Sequence, residues 1–416
     1  MALHVINEAK RCLKCKKPQC AVGCPVGIPF PQAVDLLLNG RMHEAGKLIF
    51  ENNPLSLICS LVCDHEKQCE GHCILGRKDS AIHVSSVEHY ISDQYLDRFT
   101  PDVPEERKES IAIIGSGPAG LTIAILLAMR GYRVTIFEAM EEIGGVLRYG
   151  IPDFRLPKTV LARYRVKLRQ MGISVRPNVL IGPGSLTVDD IFRDGYKALF
   201  IGTGVWKPHA LGIRGESLGH VHFAINYLKN PDVFDLGDRL IVIGAGNAAM
   251  DVARTALRKG VPNVSIFSRK GTDNLSCSKM ERDYTEMEGA EFVGFREPVE
   301  ITDEGVVFRE TEEYRDEEGQ GKLRTRSLPG TEKLYPASSV IVAISQGPRA
   351  YIVSTTQGIE IDGRGLLVTD ADGHTTRAGV FASGDVVSGA RTVVEAVNYS
   401  KKVADKMAEY VESLKA

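Results

Sequence analysis

The chain has one tryptophan in 416 residues and no apolar run long enough to cross a membrane. A spanning helix needs about 20 apolar residues, and the best candidate, residues 121–129, falls far short. Neither sign of charge dominates: 51 Lys and Arg stand against 53 Asp and Glu, a net −2. That balance gives no footprint for nucleic acid. The start, Met1-Ala2-Leu3-His4, lacks the basic stretch and apolar core of a secretion signal, so a cytoplasmic location is expected. Cysteine is almost missing after residue 73, where Cys277 stands alone in Leu275-Ser276-Cys277-Ser278. A solitary thiol is no redox dithiol, and no Cys pair follows Gly144-Gly145. Dithiol–disulfide exchange is therefore excluded as the chemistry.

The other eight cysteines crowd into the first 73 residues as Cys12-x2-Cys15-x4-Cys20-x3-Cys24-Pro25 and Cys59-x3-Cys63-x5-Cys69-x3-Cys73. Disulfide frameworks belong to small secreted domains, whereas a chain of this length can bury a core without such staples. Cys12-x2-Cys15 alone would suit zinc. Four thiols ending in Cys-Pro lie closer to ferredoxin spacing, because each iron of a cubane takes one soft anionic ligand.

The length predicts roughly three domains. Residues 1–107 read as helical, with one helical pattern over residues 31–50 and a second helix over 84–99. A linker is expected at Pro101-Asp102-Val103-Pro104 and the charged residues after it. Ile111-Ala112-Ile113-Ile114 then reads as a doubly buried strand. It enters Gly115-Ser116-Gly117-Pro118-Ala119-Gly120 and a helix to Met129, followed by a strand over 133–137 that ends at Glu138. Gly115 permits the tight turn, Gly117 admits a pyrophosphate, Gly120 lets helix and strand approach, and Glu138 can hold the ribose hydroxyls. The phosphates would lie on helix N–H groups near Pro118 and Ala119.

The design recurs as a strand over 240–243, the turn Gly244-Ala245-Gly246-Asn247-Ala248-Ala249, a helix from Met250 through Asp251, and a strand over 264–267. Here Ala249 takes the third glycine's place, and Ser268-Arg269-Lys270 stands where an acid would sit. Arg269 and Lys270 would bind a 2′-phosphate that an acid would repel, which favours NADPH over NADH. Gly379-Val380-Phe381-Ala382-Ser383-Gly384-Asp385 and a helix near residues 392–403 resemble the late segment that returns to the first domain in two-dinucleotide flavoproteins. That resemblance implies that Asp385 holds a ribityl chain and that the helix starting at Thr392 aims its N-terminus at a flavin. Crossings between the two domains are expected near residues 198–204 and 340–347. The fold class is α/β: two Rossmann-like domains of glutathione-reductase type behind an α-helical iron–sulfur domain. The expected boundaries are 1–107 for the clusters, 108–215 with 346–416 for FAD, and 216–345 for NADPH.

With Asn53-Pro54-Leu55, Gly144-Gly145 and Gly150-Ile151-Pro152-Asp153-Phe154-Arg155-Leu156-Pro157 added, the chain resembles the small (beta) chain of bacterial glutamate synthase over nearly its whole length. It is also similar to the electron-input half of dihydropyrimidine dehydrogenase and to the large subunit of NADH-dependent ferredoxin:NADP oxidoreductases. The resemblance implies two [4Fe–4S] clusters. One takes Cys12, Cys15, Cys20 and Cys73; the other takes Cys24, Cys63, Cys69 and the non-cysteine ligand Glu88, with Cys59 the rival for the eighth position. It also places Gly145, Arg148 and Arg155 near the flavin.

The activity so implied is oxidation of NADPH by an electron-input subunit. Hydride passes to FAD, and single electrons pass through the clusters to a large catalytic subunit, with no acid–base side chain required. A self-sufficient reductase of ferredoxin and a redox-sensing interaction protein are the rival readings. The basic run Lys10, Arg11, Lys14, Lys16, Lys17 is either a solvated face or a dock for an acidic electron carrier.

Overall fold

The computed structural model describes residues 2–98, 102–316 and 322–415. Helices Ala2–Lys10, Phe30–Leu38, Met42–Asn52, Ser56–Val62 and Val84–Arg98 build the amino-terminal part. The single pattern over 31–50 is two helices, because Gly40 breaks it with φ +76. That left-handed conformation suits glycine and stops a helix. The second expected helix ends at Arg98; Phe99 and Pro101 lie outside the described residues. Gly46 sits mid-helix against Tyr95 of the Val84–Arg98 helix, where any Cβ would overlap the ring. The residue costs helix propensity of about 1 kcal/mol and lets the two helices touch. Around this contact Phe30, Val34, Ile49, Val87 and Ile91 form one core, with Cys12, Cys20, Cys24 and Cys73 packed on its edge.

The chain divides into two compact units. The first comprises residues 1–148, 153–205 and 347–416, and the second residues 149–152 and 206–346. The first holds a parallel sheet in the order Val380–Ala382, Ala198–Ile201, Ser110–Ile114, Arg133–Phe137, Ser174–Arg176. The second repeats the arrangement, with Arg239–Ile243 central between Ser339–Val342 and Asn263–Phe267. In each sheet the strand entering a glycine turn is central and buried, and the turn opens at its carboxyl end. The second unit also carries an antiparallel sheet, Arg296–Thr302, Gly305–Asp316 and Lys322–Pro336, which the sequence did not announce.

Within the first unit the helix Lys158–Gln170 joins the nucleotide fold to the amino-terminal helices. The Tyr164 hydroxyl, fully buried, donates to the Pro54 carbonyl at 2.9 Å. Arg163 pairs with Asp93 at 2.7 Å and Asp97 at 2.9 Å on the Val84–Arg98 helix. Losing one such hydrogen bond costs about 1 kcal/mol, and emptying an aromatic site costs about 3–5 kcal/mol. Tyr164→Phe is therefore expected to destabilise by about 1 kcal/mol and Tyr164→Ala by about 3–5 kcal/mol, read by urea unfolding. Identical midpoints for all three proteins would show that the contact carries no weight.

Candidate functional site

Each glycine of the first turn has a different job. Gly115 adopts φ +95, and a Cβ there would lie 2.6 Å from the Gly202 carbonyl oxygen. A Cβ on Gly120 would overlap the carbonyl oxygen of Gly115. Folding alone demands these two. Gly117 is different: a Cβ would meet nothing within 4 Å. Its backbone faces open space at the start of the Pro118–Met129 helix, which has no side-chain cap. Uncapped N–H groups beside a bare glycine form a cradle for phosphate. The second turn repeats this logic. Gly244 has φ +120 and abuts Ala343, while a Cβ on Gly246 would meet only Ser276 Oγ, at 3.6 Å. The Asn247–Arg258 helix is likewise uncapped by a side chain. Ala249 is fully buried, Ala248 is exposed, and Asn247 Oδ1 accepts from the Ser278 N–H at 3.0 Å.

Around the first cradle Glu138 is buried, and its Oε2 accepts from the N–H and hydroxyl of Ser116 at 2.8 and 2.5 Å. Ser116 Oγ also accepts from the Gly144 N–H at 3.1 Å. Ser116 thus stitches the turn to Glu138 and to the Gly144-Gly145 bend, a role not foreseen from the sequence. Its place between two motif glycines was the available signal. Gly145, at φ +52, lies against Gly117. Arg148 Nε donates to the Ile143 carbonyl at 3.1 Å, and Arg155 is half-buried in the loop before the Lys158–Gln170 helix. Gly384 has φ +76 and approaches Ala119. Burial pushes the Asp385 carboxyl up to about 6, opposed by the N–H of Arg391. Thr392 caps the Val393–Ser413 helix reciprocally with Glu395. In the second unit Asp251 is buried within its helix, while Arg269 and Lys270 are exposed beyond the Asn263–Phe267 strand. Among the described residues neither cation lies in an ion pair with a carboxylate.

The thiols gather in two sets. Cys12, Cys15, Cys20 and Cys73 line one cavity of about 30 Å³, walled by Leu13, Phe30, Leu75 and Val84. Burial lifts the Cys12 thiol above its ordinary value and takes Cys20 up to about 11, and the neighbouring thiols add to both shifts. Among the described residues no three His, Cys, Asp or Glu side chains are drawn close enough to grip a single ion. Four thiols spread around a cavity suit a cage of several irons.

The second set is Cys24, Cys63, Cys69, Cys59 and Glu88, whose charges act on one another. Burial raises Cys24 and Cys69, and the charges of Glu88 and the neighbouring thiols add to it. Cys63 is raised first by its hydrogen bond with Cys59 and then by burial. Glu88, 5% exposed, is held well above the carboxylate range by burial and then by Cys59. Glu88 is therefore not a surface carboxylate. Asn53, 2% exposed, directs an amide Nδ2 that has no oxygen or nitrogen partner towards Cys59. A buried acid, crowded thiols and an amide donor aimed at sulfur together suit an iron–sulfur centre, whose iron would offset the crowded anions and whose sulfur would accept from the amide. This second set also borders the nucleotide fold. Tyr164 lies near Cys59 and Glu88, and burial holds Lys401 below its ordinary value while Cys24 pulls the other way. Cys277, in the second unit, is buried in an apolar cluster.

Two Rossmann-type folds with open glycine cradles, preceded by helices that gather thiols, define an NAD(P)H-dependent flavin and iron–sulfur oxidoreductase. Residues 2–99 match the family model for dihydropyrimidine dehydrogenase domain II, 4Fe-4S cluster, and residues 109–400 match that for pyridine nucleotide-disulphide oxidoreductases. The chain belongs to the glutamate synthase small-chain family. It is 34% identical to the glutamate synthase [NADPH] small chain of Halomonas elongata, across 97% of this chain and 90% of that one. The Escherichia coli small chain is 31% identical, across 97% and 91%. The fold is also that of Mycobacterium tuberculosis FprA, solved with NADPH, at TM-score 0.63 and 19% identity over 74% of this chain and 86% of that one.

Because Gly117 and Gly246 touch little of the protein, their alanine variants are expected to melt with the wild type when all three are stripped of flavin. Gly117→Ala is expected to lose most bound flavin, read from the visible absorbance per chain. Gly246→Ala is expected to raise the KM for NADPH at unchanged flavin content. Full flavin and an unchanged KM would mean the cradles hold no pyrophosphate.

Proposed function

We propose that the chain is the NADPH-oxidising input subunit of a two-component enzyme, with a large catalytic subunit as its electron acceptor, and that it works in the cytoplasm. One observation carries this reading. Thiols from two segments about fifty residues apart, residues 12–20 and residue 73, converge on one cavity in a chain that also holds two dinucleotide cradles. The division of labour assigns residues 1–107 to two clusters, 108–215 with 346–416 to FAD, and 216–345 to NADPH. When bound, FAD supplies a pair-to-single converter between hydride and the one-electron chemistry of the iron–sulfur centres.

The chain's own residues bind and orient. Gly115, Gly117, Pro118, Ala119 and Gly120 hold the FAD pyrophosphate against the helix start. Glu138, fixed by Ser116, receives a ribose, while Gly145, Arg148, Arg155, Gly384, Asp385 and Thr392 frame the rest of the flavin. Gly244, Gly246, Asn247, Ala248 and Asp251 form the NADPH cradle, and Arg269 and Lys270 meet its 2′-phosphate. Cys12, Cys15, Cys20 and Cys73 hold one cluster; Cys24, Cys63, Cys69 and Glu88 hold the other, with Cys59 a thiol beside it. The relatives named as NADPH-dependent glutamate synthase small chains support this assignment.

Anaerobic NADPH is expected to bleach the flavin band within seconds, and an untagged anaerobic preparation is expected to carry a large polypeptide. Rapid reduction of ferredoxin by the isolated chain, with no such companion, would instead identify a self-sufficient reductase. Charge-assisted bonds to a phosphate are worth about 1.5–3 kcal/mol. Arg269→Ala with Lys270→Ala is therefore expected to raise the KM for NADPH at least about tenfold and leave NADH unchanged. Equal effects on both nucleotides would refute the phosphate contact. Glu88→Ala is expected to lose about half the iron, because one of two cubanes loses a ligand, and Cys59→Ser to keep it. The reverse pattern would make Cys59 the ligand.

A further inference from the structure

Cations outnumber acids along the segments around the Cys12, Cys15, Cys20 and Cys73 cavity, with Glu8, Asp35, Glu70 and Asp79 at their ends. Residues 9–34 and 71–78 contain Lys10, Arg11, Lys14, Lys16, Lys17, Arg77 and Lys78 and no Asp or Glu, in a chain whose net charge is −2. Arg11 is spent on Glu8 and Asp79, and Lys14 on Asp35. Lys10, Lys16, Lys17, Arg77 and Lys78 are exposed, and among the described residues none of the five lies in an ion pair. Leu13, a wall of the cavity, is itself 58% exposed, and Val22 nearby is 73% exposed. The other thiol set is more enclosed: Cys59, Cys63, Cys69 and Glu88 are buried and Cys24 is half-buried.

We propose that this basic rim around exposed Leu13 is the docking surface for the acidic face of a protein that takes single electrons. The proposal rests on the functional reading above, in that the Cys12–Cys73 site is the last stop before solvent. An apolar contact at Leu13 would bring the acceptor over the cavity. The five free cations would steer it there, since opposite potentials raise encounter rates and fix register. One NADPH supplies two electrons, which the acceptor takes one at a time, with one proton released per NADP⁺ formed.

The probe is a small acidic plant-type ferredoxin, titrated into the oxidised, cofactor-loaded chain by calorimetry, so that binding is read without turnover. Wild-type binding is expected to weaken about tenfold between about 50 and about 300 mM salt, as the screening length contracts. Lys16→Glu with Lys17→Glu is expected to weaken low-salt binding about tenfold and flatten the salt dependence. NADPH bleaching of the flavin is expected to stay unchanged. Lys229→Glu, an exposed cation in the second unit, is expected to bind like the wild type. An unchanged Kd in the Lys16/Lys17 variant overturns the proposal, and so does equal weakening by Lys229→Glu. Binding that moves to anionic lipid vesicles while the ferredoxin is ignored also overturns it. A chain without iron would sink the functional reading, while the binding measurement would still report on the surface itself.

Discussion

Gathering thiols inside apolar walls is the constraint on which the amino-terminal part depends. A thiolate is the ligand form of cysteine, and burial disfavours it. Cys12, Cys20, Cys24 and Cys69 are all pushed upward for that reason, and Glu88 more so among them. Left to themselves these groups are a cost, since crowded acids in a low dielectric cannot all ionise. A multiply charged cation reverses the sign: it draws the protons off and turns mutual repulsion into shared attraction. The helices then need only present sulfur at the right places. The touch of Gly46 on Tyr95 and the Gly40 break serve that end by setting how the helices pass one another.

The nucleotide folds solve a complementary problem, keeping space empty. Gly115, Gly120 and Gly244 are glycines because backbone crowds them; Gly117 and Gly246 are glycines although the protein leaves them room. At the start of a helix, that room suits the close approach of a ligand to the backbone. Ser116, Glu138 and Gly144 lock the first cradle from behind. The Tyr164 and Arg163 contacts fasten that cradle's fold to the helices bearing Cys59 and Glu88. The first glycine turn and those helices thus belong to one packed unit.

Much of this could be read before any coordinates. The two strand–turn–helix units follow from short apolar strands and spaced glycines, and the strand over 133–137 has the observed bounds. The third positions, Gly120 and Ala249, behave as tight packing points. Other features were illegible for physical reasons. Apolar periodicity runs on through Asn39-Gly40-Arg41, so the break rests on one dihedral angle. The antiparallel sheet over 296–336 is largely half-exposed, alternating and rich in charge, without the apolar runs that mark the buried strands. Ser116 was hidden because its work depends on Glu138 and Gly144, brought to it only by the fold. Spacing alone could not choose between Glu88 and Cys59 as the eighth ligand; the fold adds that Glu88 is buried near Cys24, Cys63 and Cys69.

The central claim is that electrons enter as a pair at a nucleotide-bound flavin and leave singly through sulfur-ligated iron in the amino-terminal helices. Its most direct test is metal and acid-labile sulfide analysis of the anaerobically purified chain, with electron paramagnetic resonance before and after NADPH. The account predicts about eight irons and eight sulfides per chain and a reduced-cluster signal that NADPH elicits. Zinc or cystine bridges at these cysteines, without inorganic sulfide and without any NADPH-dependent signal, would contradict it.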